Sequence, residues 1–349
     1  MKPELNIGLI GCGAIAQFAH LPALARAPHV RLTAICDGAD DLLQAVGRRT
    51  GVSNQYTDHH KFLAKAPVEA VILAVPDPFH VPLAIAALQA GKHVLVEKPL
   101  GTNSAECLDL LHLVRQTGLK LQVGSMKRYD SGVAFARRFI QEKVGPILSV
   151  SGVYRDTIFR QAMQETCLDP LLTSLKAVKP AADPKANRER YNLITQGTHL
   201  FDCLRYLGGE ITAVTVLVAR HAGQCSWHGL LEFAHGGRGH FELTCKVCGD
   251  WFEKYTVCGE LGSVDAQVSL PFYHRPAQVR AFDGQTQQWA QPLGGYSNAY
   301  ANQLEAFARS VLHNEPTNPD VAEGLAAVRV IEAVEASLAC GDRVEVVRD

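Results

Sequence analysis

Ile7–Ala23 reads IGLIGCGAIAQFAHLPA. An apolar run of Ile7, Leu9 and Ile10 meets Gly11, Cys12 and Gly13, and a helical pattern begins at Ala14. That order is a strand, a tight turn and a helix start. Gly11 permits the turn where a β-carbon would clash. Gly13 lets the backbone approach a pyrophosphate, and Ala16, standing where a third glycine usually falls, still allows close helix–strand packing. The helix start at Ala14 and Ile15 offers free N–H groups and a positive dipole end to phosphates. A glycine turn alone is also what any tight turn shows. Here a second apolar run, Val30–Cys36, follows and ends at Asp37. That is roughly 20 residues on, where a carboxylate meets an adenosine ribose. A solvated acid at a strand end is the weaker reading of Asp37. Its charge repels a 2′-phosphate and no Arg stands at 38–40, so NAD is favoured over NADP.

The remaining chain continues the rhythm. Ala39–Thr50 reads as a helix stopped by Gly51, and Val68–Val75 (VEAVILAV) as a parallel strand covered on both faces. Pro76-Asp77-Pro78 breaks it, with Asp77 able to cap a helix over Phe79–Ala90 that ends at Gly91. A short buried strand, His93–Val96, leads to Glu97-Lys98-Pro99. A helix over Ser104–Thr117 and a strand over Leu119–Val123 follow. Strand and helix alternate to about residue 124, which predicts an α/β domain with a Rossmann-type, doubly wound parallel sheet over 1–124.

Beyond it the pattern changes, which predicts a second, α+β domain over 125–349. Helix Ser131–Glu142 precedes an alternating strand, Pro146–Tyr154. Residues 156–190 are polar and hold Pro170, Pro180 and Pro184, so they read as an insertion with short helical pieces, a lid or a subunit contact. An amphipathic helix, Tyr191–Leu207, puts Leu193, Gly197, Leu200, Leu204 and Leu207 on one face. Strand-like segments then run in series at 212–219, 229–233, 239–247, 254–258, 263–267 and 278–282, predicting a large open sheet that is mainly antiparallel. Two helices, Asn298–Leu312 and Val321–Ala339, precede a last strand, Arg343–Val347.

The chain has 349 residues, 47% apolar and 20% charged, with a net charge of −1. That balance gives no general attraction to nucleic acid or anionic membrane. No apolar run approaches the length of a membrane span, and the N-terminus enters a core strand without a signal-peptide pattern, so a cytoplasmic protein is expected. Ten cysteines are scattered, with Cys36, Cys203 and Cys258 inside apolar runs, and read as buried free thiols. Cys245 and Cys248 form the only CxxC, with no second pair or nearby His at zinc spacing, and the 14 histidines form no HExxH or HxH. No metal is expected.

Lys98 stands at the carboxyl end of a parallel strand, on the sheet edge where open α/β sheets bind ligands. By itself it reads equally as a solvated strand-end Lys. GCGAIA at 11–16, VPDPFH at 75–80, EKPLGTN at 97–103 and GTHLFDCLRYLGG at 197–209 together resemble the glucose–fructose oxidoreductase / inositol dehydrogenase / rhizopine catabolism (Gfo/Idh/MocA) family, over nearly the whole chain. The resemblance implies an NAD-dependent oxidoreductase of sugars, cyclitols or their derivatives. It places Lys98 at substrate and nicotinamide ribose, and His199 as acid/base at the alcohol that becomes a ketone. That assignment meets a physical need. Hydride loss from a secondary alcohol requires a base for the hydroxyl proton, a task suited to His near neutral pH, and a polariser for the oxygen. Against it stands His199 as a core His on an amphipathic helix.

The same resemblance sets Pro76, His80 and Glu97 beside the cofactor with Gly11, Gly13, Ala14, Ile15 and Asp37. Arg128, Tyr154, Arg155, Thr195 and Gln196 become candidates for the substrate side. Arg128 reads equally as a surface salt bridge. One departure stands out: the family usually has an Asp four residues before the His, and here the position is Thr195, which cannot ionise. Asp156 or Asp169 could substitute. Relatives pack their open sheets together, which implies a homodimer or homotetramer. Two other functions remain: a tightly bound NAD recycled within a sugar- or glycoside-modifying cycle, and a non-catalytic dinucleotide-binding regulator. Which sugar or cyclitol is acted on is not written in any motif.

Overall fold

The computed structural model describes residues 4–166 and 169–348. The chain divides into two compact units. One holds Met1–Ser125, Leu168–Ala186 and Tyr300–Leu325, the other Met126–Cys167, Asn187–Ala299 and Ala326–Asp349. Two stretches read from sequence with the second domain, 168–186 and 300–325, thus cluster with the first.

The first unit is built on six strands: β1 (Leu5–Ile10), β2 (Val30–Cys36), β3 (Asn54–Tyr56), β4 (Ala70–Leu73), β5 (His93–Glu97) and β6 (Leu121–Gly124). All neighbours pair in parallel, in the order β3-β2-β1-β4-β5-β6. That is the doubly wound arrangement, with its switch point between β1 and β4. β4 is buried at all four positions, as its unbroken Ala-Val-Ile-Leu run requires when helices cover both faces. The helix Ser104–Thr117 follows its sequence signals from end to end. Asn103 and Glu106 form a capping box, and Gly118 closes it at φ 67°. Asp77 does not act as the cap expected of it. It lies inside a short 3-10 turn, Asp77–Phe79, ahead of the helix His80–Gln89, with no side-chain capping bond. The sequence reading missed β3 and the helix His59–Lys65, whose Asp58 cap accepts from Lys61 N–H at 2.8 Å.

The second unit is built on a nine-stranded sheet. Its strands are β7 (Ile147–Thr157), β8 (Ile211–His221), β9 (Gln224–Phe233), β10 (Arg238–Val247), β11 (Phe252–Gly259), β12 (Gly262–Gln267), β13 (Gln278–Asp283), β14 (Gln288–Ala290) and β15 (Val344–Glu345). The order is β14-β13-β12-β11-β7-β10-β9-β8-β15. Every pairing is antiparallel except the central β7–β10 pair, which is parallel. β7 outruns its expected end because Thr157 still pairs with Val247 of β10. The helix Arg188–Gly208 covers one face. Gly152 in β7 lets it close, since a β-carbon there would stand 2.9 Å from Leu204 and 3.0 Å from Leu200. The helix's Phe201 and the sheet's Trp227, Tyr255 and Phe241 are fully buried. The opposite face is open: Leu217 is 73% and Leu230 65% exposed. Cys248, Cys258 and Cys340 correct an expectation, being exposed; Cys258 lies in β11 one residue out of phase with buried Val257.

Among the described residues no helix is long and apolar enough to cross a membrane, and no group of three or more His, Cys, Asp or Glu is placed to hold a metal ion.

Candidate active site

Register sets the first half of the site. Ile10 pairs with Leu73 and Leu73 with Val96, so the glycine turn, Ala74–Pro76 and Glu97–Pro99 all leave the sheet at one edge. Gly11 has φ 94°, and a β-carbon there would collide with the Ala74 carbonyl oxygen. Gly13 has nothing within 4 Å of that position, so its backbone is open to a close-lying ligand. A crevice of about 340 Å³ runs past Gly11, Gly13, Asp37 and Pro76. Ala14 is exposed and Ile15 half-buried at the helix start beside it. Asp37 is held firmly: one carboxylate oxygen accepts from Cys12 N–H at 2.8 Å, the other from Ala39 N–H at 2.9 Å. The turn, the open Gly13 backbone and the fixed carboxylate fit a dinucleotide, with pyrophosphate at the turn and ribose at Asp37. Asp37→Ala removes a charged acceptor from the turn and from the place where a ribose would lie. NADH affinity measured by fluorescence titration is expected to fall roughly 10- to 100-fold, the equivalent of about 1.5–3 kcal/mol.

Two of the residues expected at the cofactor are buried and engaged with protein groups. His80 is 1% exposed. Its Nδ1 lies 2.6 Å from the Pro99 carbonyl and its Nε2 3.0 Å from the Val75 carbonyl, tying the loop after β4 to the loop after β5. Glu97 is buried, its carboxylate 2.9 Å from His20 Nε2 and accepting from the backbone N–H of Lys98 at 3.2 Å. Burial opposes the charge of Glu97, but the His20 hydrogen bond and the adjacent Lys98 ammonium outweigh it and hold the carboxyl below its usual range. Both side chains therefore brace the loop that carries half-buried Lys98, which stands at the strand end where sequence put it. His20 was missed. It lies on the π-type turn Ala16–His20 that opens the helix after Gly13, and no local sequence pattern pairs it with a residue 77 positions on.

The second unit gathers His199, Tyr154 and Gln196. The His199 and Tyr154 rings stack at 6.2 Å with planes 6° apart. Tyr154 hydroxyl donates to Gln196 Oε1 at 2.9 Å, and Arg160 reaches both oxygens, at 3.0 and 3.1 Å. Asp156, two residues along β7, meets the same Arg160 at 2.6 Å. Burial raises the Asp156 carboxyl despite that partner, and burial likewise raises the Tyr154 phenol. Lys127, ion-paired with buried Glu253, lies 4.7 Å from the centre of the Tyr154 ring. Arg160, Lys127 and Glu253 were not among the expected residues. Arg160 stands four residues past Asp156, but across the end of β7 and not along a helix, so no spacing rule marks it.

Several expected substrate residues stand elsewhere. Arg155 points to the open face of the sheet, paired with Glu242 at 2.7 Å, because neighbours in a strand alternate sides and Tyr154 takes the inner one. Arg128 is neither a free ligand for an anion nor a surface salt bridge. It is 5% exposed and its guanidinium grips Asp202 through Nε at 3.1 and 3.0 Å and Nη2 at 2.7 Å. Thr195 is buried, and its hydroxyl donates back to the Tyr191 carbonyl at 2.8 Å. Of the two carboxylates offered as substitutes for the missing Asp, Asp156 belongs to this cluster, whereas Asp169 is exposed and lies in the first unit.

The parallel order of the first unit, its glycine turn and the carboxylate closing β2 define a dinucleotide-binding α/β protein. Residues 5–125 match "Oxidoreductase family, NAD-binding Rossmann fold" and residues 192–346 match "Oxidoreductase family, C-terminal alpha/beta domain". The chain belongs to this Gfo/Idh/MocA oxidoreductase family. Inositol 2-dehydrogenase 2 of Saccharopolyspora erythraea is 26% identical over 358 residues, which cover 97% of this chain and 94% of the relative. Levoglucosan dehydrogenase of Pseudarthrobacter phenanthrenivorans is 29% identical over 231 residues, 62% of this chain and 54% of the relative. A solved levoglucosan dehydrogenase in complex with NADH has a TM-score of 0.82 at 22% identity, covering 99% of this chain and 100% of that one, which shows the shared fold.

Proposed function

We propose that the protein is an NAD-dependent dehydrogenase that interconverts a ring carbinol and a ketone of a sugar, cyclitol or close derivative. The observation that carries this reading is Lys98. It stands at the carboxyl end of β5, at the sheet edge that carries the glycine turn, and buried Glu97 and His80 brace its loop. The inositol and levoglucosan dehydrogenases among the relatives support the substrate class. NAD, when bound, supplies the acceptor for the hydride. Lys98 hydrogen-bonds the carbinol oxygen and favours its anionic character. His199 takes the hydroxyl proton on oxidation and returns it on reduction. The cluster of Tyr154, Gln196 and Arg160 orients the imidazole, the duty that an Asp in place of Thr195 would share.

The enzyme works in the cytoplasm, where its thiols stay reduced. Every cysteine among the described residues is free. It assembles as a homo-oligomer through the open face of the nine-stranded sheet, where Leu217 and Leu230 lie uncovered. A panel of cyclitols, aldoses and anhydrosugars with NAD tests the reading through the near-ultraviolet absorbance of reduced nicotinamide. Reduction by one of these classes is expected. NADH binding without reduction by any of them, and without NAD retained through purification, would favour the regulator instead.

A further inference from the structure

The segment after residue 168 is written in polar residues and prolines, yet it is fastened to the first unit at several points. Gln17, 7% exposed and four residues past Gly13, grips it from both sides. The Gln17 amide nitrogen donates to the Leu172 carbonyl at 2.9 Å, and its oxygen accepts from Leu172 N–H at 3.0 Å. The same amide nitrogen donates to the Cys12 carbonyl inside the glycine turn at 2.8 Å. Further along, Ser174 hydroxyl donates to Asp41 at 2.6 Å and Lys176 to Asp40 at 2.8 Å, both in the first turn of the helix Asp40–Thr50. Ala177 and Val178 then form part of the crevice wall, with Asp37 and Gly38. Val178 lies so close to Gly38 that a β-carbon built on Gly38 would collide with Val178 Cγ2.

Asp37 marks the ribose end of the crevice, and a 2′-phosphate would need space and a cation beside it. Among the described residues, the wall beside Gly38 leaves no free space, and the one cation of residues 170–178, Lys176, is paired. Gly38 contributes only backbone, Val178 contributes methyl groups, and the neighbouring Lys176 is engaged by Asp40. We propose that residues 170–178 form a strap that belongs to the dinucleotide site, and that its Val178 selects NAD over a 2′-phosphorylated dinucleotide by filling the place beside Gly38. The discrimination has two independent sources: Asp37 excludes the phosphate by charge and Val178 by volume. This inference rests on the crevice binding NAD, as the family does, and not on the identity of the sugar.

The test is binding without substrate. Full-length wild type, Val178→Gly and Val178→Lys are titrated with NADH and with NADPH by fluorescence, and the ratio of the two dissociation constants is read. Wild type is expected to favour NADH. Val178→Gly opens the space and is expected to lower the ratio by about tenfold. Val178→Lys adds a cation at the same place and lowers it at least as far. A ratio within twofold of wild type in both variants would overturn the proposal, as would a wild type that favours NADPH. A wild type that binds neither dinucleotide would overturn the reading of the crevice itself, an outcome the same titration separates from the first.

Discussion

Replacing His199 by alanine is expected to lower kcat by about 10²–10⁴ while NADH affinity stays within a factor of two. A positioned acid/base contributes about that much to a proton transfer, and His199 belongs to a unit that contains none of the glycine turn. The expected signature goes beyond the loss of rate. The wild-type pH profile for alcohol oxidation should rise through the titration of the imidazole as the free base forms, and this limb should vanish in His199→Ala. A His that served only to fill the helix face would lower stability and leave the profile's shape intact. Gln196→Ala and Arg160→Met separate orientation from chemistry. They untie the Tyr154 hydroxyl from its partners, so the limb should persist at a lower plateau.

Arg128→Met is expected to lower stability by about 3–5 kcal/mol, because it strands the Asp202 carboxylate in a buried site. Arg128 and Asp202 are both 4% exposed at the side chain, so water does not replace the lost partner. For a domain of this size the loss corresponds to roughly 10 °C in the midpoint of thermal unfolding. The Michaelis constant for the substrate should stay within about twofold, since the guanidinium is engaged with Asp202. A Michaelis constant raised tenfold or more at unchanged melting temperature would return Arg128 to the substrate side, where a reading of the sequence put it.

That reversal shows what the sequence could carry. Most of the first unit was legible because its signals are local, although β3 and the helix His59–Lys65 were missed. A buried β-branched run, a capping box at Asn103 and Glu106 and the glycines Gly51 and Gly118 at two helix ends sit within a few residues of the structure they specify. The strands of the second sheet were legible one by one for the same reason. Their order was not, and the parallel β7–β10 pairing depends on contacts spanning some ninety residues. Gly11, Gly13, Asp37 and Pro76 line one crevice, because a backbone conformation or a strand end places each of them. Arg155 could have been set aside from sequence alone, since period-two alternation allows only one of Tyr154 and Arg155 to face the helix. Arg128, His20 and Gln17 could not. Their partners Asp202, Glu97 and Leu172 lie 74, 77 and 155 positions away, and no spacing rule reaches that far.

The strap has the same origin. Polar, proline-bearing composition marks a segment without a core of its own, and such a segment is placed by what it can hook onto. Here the hooks are Gln17, Asp40 and Asp41, three side chains close in sequence to the glycine turn and to Asp37.

The central claim is transfer of hydride between a ring carbinol and nicotinamide. Its most direct measurement is isotopic: the full chain with NAD and cyclitols, aldoses and anhydrosugars deuterated at their carbinol carbons. The account predicts deuterium at C4 of the reduced nicotinamide and the matching ketone, from one class of substrate and on one face of the ring. Tight NADH binding with no deuterium transferred from any of them would contradict it.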